Sequence, residues 1–212
     1  MINKTKRTED MERLWNTLLF MKQLHEGQTD KCGQPYWIHP FTVAMECFSN
    51  YSRKELSSTI VGLLHDILED TDVDFEYISE HIPLTTEETE ALLLLTKNKD
   101  ISYTEYIRAV SKNKIAKKVK KEDLFHNANT KRFYEANIKM TNKDLDRVNK
   151  YYTALISLFE KSEEEPSRYQ GSETIPTRSI TDDIIIDDPE AVERLVEILE
   201  EGERNGYKND QF

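Results

Sequence analysis

Four residues able to do acid–base or metal chemistry fall within six positions, in the run His65-Asp66-Ile67-Leu68-Glu69-Asp70. Imidazole nitrogen mixed with carboxylate oxygen is a donor set that suits a divalent cation. The run is embedded in apolar sequence: Ile60, Val61, Leu63, Leu64, Ile67 and Leu68. This patterning predicts one amphipathic helix from Arg53 to Asp70. At about 100° per residue with His65 at zero, Glu69 falls near 40°, Asp66 near 100° and Asp70 near 140°. The apolar side chains fill the arc from roughly 160° to 320°. Gly62 falls near 60°, inside the polar stripe, which leaves the stripe open to close approach by another group. The bland alternative is a solvated acidic face. Three carboxylates with no interleaved base repel one another across one turn, and a cation relieves that repulsion.

Convergent ligands come from several elements, and two further segments can supply them. In Gly33-Gln34-Pro35-Tyr36-Trp37-Ile38-His39-Pro40, Pro40 holds His39 out of the α region, so His39 is expected to cap a helix beginning at Pro40. Taken alone, His39 reads equally as a packing residue. In Lys120-Lys121-Glu122-Asp123-Leu124-Phe125-His126-Asn127, helical spacing puts Lys120, Asp123 and Asn127 on one face, with Thr130 next along it. The plain alternative there is an amphipathic helix with Leu124 and Phe125 turned inward.

Helical patterning extends through the elements that must hold these segments. Thr8-Glu9-Asp10 reads as a helix start leading into Met11, Leu14, Trp15, Leu18, Leu19, Met21 and Leu24. Gly27 and Gly33-Gln34-Pro35 mark a loop. Further helices are predicted at 74–81, 86–96, 103–111, 114–129 and 142–160, with no run of strand alternation and no internal repeat.

The 212 residues suffice for one sizeable domain and a tail. The net charge of −11 argues against a chain that tracks a nucleic-acid backbone. No run approaches the roughly 18 apolar residues of a membrane span, and no apolar core follows the charged N-terminus to make a secretion signal. Cys32 and Cys47 fit no close metal or redox spacing and read as free thiols, so a reducing, cytoplasmic setting is expected. The charge is uneven. Residues 160–212 carry 16 acidic and 6 basic side chains, whereas the first 159 carry 24 and 23. The expected organisation is a domain over 1–160, a flexible acidic linker over 161–187 and a short helix and tail over 188–212. That C-terminal region either docks on its own domain or engages a protein partner or a second copy of the chain.

Read in order, the segments resemble a known family. They are His25-Glu26-Gly27-Gln28, Lys31 to Ala44, Gly62 to Thr71, Thr96-Lys97 and Lys120 to Asn127. Their order and spacing resemble the HD-domain hydrolases of the RelA/SpoT type, and in scale the small stand-alone alarmone hydrolases, which remove the 3′-pyrophosphate from ppGpp. The likeness covers roughly residues 8–160, and no synthetase domain can be placed on the chain. It implies an all-α HD-domain helical bundle with an acidic C-terminal extension. It implies a manganese ion, or another divalent transition metal, held by His39, His65, Asp66 and Asp123. Glu69 and Asp70 match the acidic pair that handles the attacking water. Asn127 matches the residue at the substrate ribose, Thr130 falls where the base pocket is lined, and Lys31 matches a basic residue at the rim.

Two positions depart from the family pattern. Asp30 stands where a basic residue is usual, and Ala128-Asn129 stands where a Met-Arg pair is common. An acid beside a pyrophosphate repels it. The substrate therefore stays open among ppGpp, an adenine analogue and a phosphorylated dinucleotide cofactor. A phosphatase of the wider HD superfamily and a nucleotide- or protein-binding module remain as alternatives.

Overall fold

Helix caps punctuate the chain where the sequence has cap-forming residues. The Asp74 side chain accepts the Tyr77 N–H, and Thr85–Glu88 and Ser102–Glu105 form capping boxes. Asn113 accepts from Ile115 and Ala116. The computed structural model describes residues 4–48, 53–97 and 100–159, all but Phe159 within Met1–Leu158, one of the chain's two units. The expected linker at 161–187 and helix at 188–212 lie outside the described residues.

The described helices are α1 (Lys4–Leu24), α2 (Ile38–Cys47), α3 (Arg53–Leu64), α4 (Ile67–Asp70) and α5 (Phe75–His81). They continue with α6 (Thr86–Leu95), α7 (Tyr103–Lys112), α8 (Lys114–Ala128), α9 (Lys131–Glu135) and α10 (Asn142–Phe159). Helices α5, α6, α7, α8 and α10 match the predicted ranges to within one residue at each end, whereas no helix is predicted at α9. Among the described residues the one β pairing is an isolated bridge, Thr29 to Pro35, which closes the loop before α2.

The helix predicted over 53–70 is a correction. It stops at Leu64, His65 and Asp66 form a turn, and α4 begins at Ile67. The helical-wheel angles therefore do not describe how His65 and Asp66 face each other. The helix carrying His39 likewise begins at Ile38 rather than Pro40, with Trp37 as N-cap, so His39 belongs to its first turn.

Helix α3 is the centre of the bundle, packed on α1, α2, α6 and α8. Ile60, Val61, Leu63 and Leu64 are buried against Val43, Ala44 and Cys47 of α2 and Val119 and Leu124 of α8. A Cβ on Gly62 would stand 3.1 Å from the Ala44 Cα. The close approach at Gly62 is thus the backbone of α2, not a ligand, and it sets the spacing between the helices bearing His39 and His65. Helix α1 is tied down by Arg13, whose guanidinium grips the fully buried Glu88 through two hydrogen bonds of 2.7 and 2.9 Å. Both cysteines are free and buried.

Candidate metal centre

Three places in the fold bring the predicted ligands together. The first turn of α2 presents His39, the turn between α3 and α4 presents His65 and Asp66, and the middle of α8 presents Asp123. His39 Nε2 lies 3.1 Å from Asp66 Oδ2 and 3.2 Å from Asp123 Oδ1. His65 Nε2 lies 3.2 Å from Asp66 Oδ1 and 3.7 Å from Asp123 Oδ1. One donor atom each from His39, His65 and Asp123 falls within a 4.8 Å cluster, and all three residues are buried.

Each imidazole is held from behind. His65 Nδ1 lies 2.8 Å from the Gly62 carbonyl, which can only accept, so Nδ1 carries a proton and Nε2 is the atom turned toward the carboxylates; burial pushes the ring down, and Asp66 and Asp123 more than reverse this. His39 Nδ1 lies 2.7 Å from His126 Nδ1. Burial and the neighbouring His39 push His126 down to about 4, so it is neutral and accepts the His39 Nδ1–H. Asp123 receives 2.6 Å hydrogen bonds from Lys120 on Oδ2 and from the Asn127 amide on Oδ1. Burial alone would lower His39, but hydrogen bonds to Asp123 and Asp66 raise it to about 9. Burial pushes the Asp66 and Asp123 carboxyls up, and the imidazoles, with Lys120 at Asp123, reverse this and hold both well below the carboxylate range.

These residues fit a divalent cation. His65 Nε2 is buried and has no hydrogen-bond partner, an expensive state unless something else completes it. Two imidazole nitrogens and the Asp123 carboxylate gathered within 4.8 Å, with an Asp66 oxygen 3.1–3.2 Å from each imidazole, are a donor set for a borderline divalent ion.

The other expected site residues sit around this centre. Asp70 Oδ2 lies 2.6 Å from the Tyr36 hydroxyl, which is also 2.8 Å from Asp66 Oδ2. Glu69 Oε1 accepts the Lys97 backbone N–H at 2.7 Å. Asn127 faces a cleft of about 210 Å³ also lined by Lys31, Tyr36, Arg132, Arg147 and Tyr151. Lys31 is exposed and pairs across this cleft with Asp144 at 3.3 Å. Thr130 is exposed just before α9, where its carbonyl accepts from Phe133 N–H, and it is not among the cleft's lining residues.

Asp30 does not present a free charge to the cleft. Its Oδ1 accepts the N–H groups of Cys32 and Gln34, at 2.8 and 2.9 Å, and its Oδ2 faces Arg132 at 3.6 Å. It is a loop-forming residue whose charge is already answered. Arg132 and Arg147, from α9 and α10 where no motif pointed, also line this cleft, paired there with Asp30 and Asp144. Tyr36 and His126 were inside the quoted segments, but without a role. His126 could have been found from its position one turn beyond Asp123 on the same helix.

Among the described residues the architecture is an all-α helical bundle, with His65 and Asp66 in the turn between α3 and α4. It is similar to a solved structure of a metazoan SpoT ortholog described as hydrolysing ppGpp, with a TM-score of 0.53, 20% identity, and 69% of this chain and 85% of that one covered. In sequence, the chain is similar to a guanosine-3′,5′-bis(diphosphate) 3′-pyrophosphohydrolase of Borreliella burgdorferi, 40% identical over 76 residues. The same-named protein of Aquifex aeolicus is 40% identical over 72 residues. The bifunctional (p)ppGpp synthase/hydrolase SpoT of Escherichia coli is 34% identical over 68 residues. These matches take in 36%, 34% and 32% of this chain and span only 11%, 10% and 9% of those proteins. No protein-family model matches the chain. Among the described residues no helix is long and apolar enough to cross a membrane.

Proposed function

We propose that the protein is a metal-dependent hydrolase that removes the 3′-diphosphate from ppGpp-like nucleotides, with manganese as its ion. The observation that carries this reading is the convergence of His39, His65, Asp66 and Asp123 around the orphaned His65 Nε2. The relatives' names supply the substrate class. A divalent ion held there would lower the pKa of a bound water and screen phosphate charge.

The chain's own residues do the rest. Glu69 and Asp70 take the proton of the attacking water. Asp70 is tied to the ligand set by Tyr36, whose single hydroxyl proton is shared between two carboxylates. Burial and those carboxylates raise Tyr36 so far that it stays a phenol and a donor. Water oxygen attacks the phosphorus carried by the 3′ oxygen and the bond to that oxygen breaks. The 3′ oxygen leaves as a hydroxyl, giving the nucleoside 5′-diphosphate and pyrophosphate. Positioning and charge stabilisation dominate such a transfer. The Asn127 amide nitrogen is spent on Asp123, which leaves its carbonyl oxygen to accept a ribose hydroxyl. Arg132, Arg147 and the Tyr151 ring line the space for the rest of the nucleotide, with Lys31 at its rim.

The test is product analysis by mass. Manganese-loaded protein incubated with ppGpp is expected to yield GDP and pyrophosphate. Orthophosphate as the product, or intact ppGpp, overturns the reading.

A further inference from the structure

Glu69 and Asp70 are held in different ways. The Glu69 carboxylate is anchored on backbone, where it accepts the Lys97 N–H. Asp70 is exposed and ends α4, a helix of only four residues. Its carboxylate accepts from the Tyr36 hydroxyl, which divides one proton between Asp70 and Asp66. Two residues with no part in the chemistry above, His25 and Gln28, reach the same corner from behind. Gln28 Nε2 donates to the Asp70 carbonyl at 2.9 Å, and Gln28 Oε1 lies 2.8 Å from His25 Nδ1. The His25 ring in turn packs on the Tyr36 ring, with their centres 5.0 Å apart.

The local sequence builds this arrangement. Helix α1 ends at Leu24, and the His25 N–H still bonds back to the Met21 carbonyl at 3.1 Å. Gly27, at φ +79°, takes the left-handed conformation that an L side chain resists, and the Gln28 N–H closes on the His25 carbonyl at 3.2 Å. The Gln28 carbonyl accepts the Tyr36 N–H at 2.9 Å, which fixes Gln28 and Tyr36 relative to each other. The hydrogen bonds also set the role of each atom. A carbonyl only accepts, so the Gln28 amide nitrogen is the atom on Asp70. Oε1 therefore faces His25, and Nδ1 carries a proton. His25 is fully buried, and its Nε2 has no hydrogen-bond partner. An apolar side chain would fill the same space without an unpaired nitrogen, so what the imidazole adds is the Nδ1–H that orients Gln28.

We infer that His25 and Gln28 are positioning residues for Asp70, holding its backbone from one side while Tyr36 holds its carboxylate from the other. This inference rests on the hydrolase reading and deepens it, because it assigns the aim of a water-handling carboxylate to a segment outside the metal centre. The Asp70 carbonyl stands at the C-terminal end of α4, where helix carbonyls lack partners within the helix. The Gln28 amide closes a bond that this short helix cannot supply for itself. The two holds are joined at His25, which orients Gln28 through Nδ1 and supports Tyr36 through its ring. A carboxylate that takes a proton from an attacking water must be placed to within a fraction of an ångström. Neither His25 nor Gln28 belongs to the ligand cluster or lines the cleft that Asn127 faces, so both act through Asp70.

The test uses the full chain and reads both turnover and local exchange. Gln28→Met removes both links, whereas Gln28→Glu keeps an acceptor for His25 and loses the donor to Asp70. Either variant should lower kcat for ppGpp about ten-fold or more, with KM and manganese affinity unchanged. In an Asp70→Asn background the further loss should vanish, because the clamp acts through that carboxylate. Backbone hydrogen exchange without substrate should quicken at Asp70 and Thr71, whose N–H groups bond back to Asp66 and Ile67, and stay unchanged along α3. Gln23→Ala, exposed on α1, should alter none of these. A loss that persists in Asp70→Asn, or that falls on KM or on metal affinity, overturns the inference in favour of a general structural role. A Gln28→Glu variant that matches the natural chain overturns it as well. The two readings fail separately. If ppGpp is not turned over, yet exchange at Asp70 and Thr71 quickens in Gln28→Glu, the reaction is wrong and the clamp stands. If ppGpp is cleaved to pyrophosphate and neither kcat nor exchange responds to Gln28→Glu, the clamp is wrong and the reaction stands.

Discussion

Two clusters of charge are buried in this bundle, and they are completed in opposite ways. Glu88 is fully buried, yet both its oxygens are taken by the fork of Arg13, and Oε2 also accepts the Thr85 N–H. Hydrogen bonds overcome the upward push of burial and hold its carboxyl below the ordinary range. Every group is answered by protein, and the cluster staples α1 to the start of α6. Around Asp123 the answers are incomplete. His65 Nε2 has no hydrogen-bond partner, and a single tyrosine proton serves two carboxylates. A saturated charge cluster has no capacity left for a ligand, whereas one that leaves a buried nitrogen without a partner does.

Substitutions at the two clusters should therefore separate activity from stability. The largest effect is expected for Asp66→Asn. Losing several kcal/mol of charge stabilisation lowers turnover of ppGpp by about a thousand-fold or more, while unfolding of the chelator-treated protein changes far less than turnover does. Arg13→Met does the reverse. It strands a buried carboxylate and should cost about 3–5 kcal/mol in denaturant unfolding, while activity per folded molecule stays the same. Equal damage to both properties by either variant would erase the distinction. His126→Leu removes the acceptor behind His39, and metal affinity is expected to fall by about 10–100-fold in calorimetry.

The smallest effect is in the pH dependence of unfolding. In chelator-treated protein His39 is raised from 6.5 to about 9, so its contribution is complete below pH 6.5 and is lost as pH rises through about 9. That loss, on the order of 1–3 kcal/mol, should vanish once a cation replaces the proton at Nε2. Glu88 is depressed from 4.5, so its contribution is present above pH 4.5 and lost as the pH falls below it. That acid limb should be unaffected by metal.

Much of this was legible in the chain, because caps and apolar spacing are local. Asp74, Thr85, Ser102 and Asn113 start their helices where their side chains predict. His39, His65 and Asp123 come together within 4.8 Å, and Asp66 lies beside the two imidazoles. The break at His65-Asp66 was not legible, because it contains neither glycine nor proline and its spacing suits a continuous helix. It is made by tertiary geometry, with the His65 ring turned back on the Gly62 carbonyl. Asp30 was misleading for a related reason. Its charge suggested repulsion of a substrate, but its geometry spends it on two loop N–H groups and Arg132. Arg132 and Arg147 stand on α9 and α10, and only the packing of those helices brings them to the cleft that Asn127 faces.

The central claim is that the incomplete cluster is completed by a cation. The direct measurement is manganese titration of chelator-treated protein, followed by calorimetry, for the natural chain and for Asp66→Asn and Arg13→Met. One ion per chain is expected for the natural protein and for Arg13→Met, with binding lost in Asp66→Asn. No saturable binding to the natural chain, or binding indifferent to Asp66→Asn, would contradict the account.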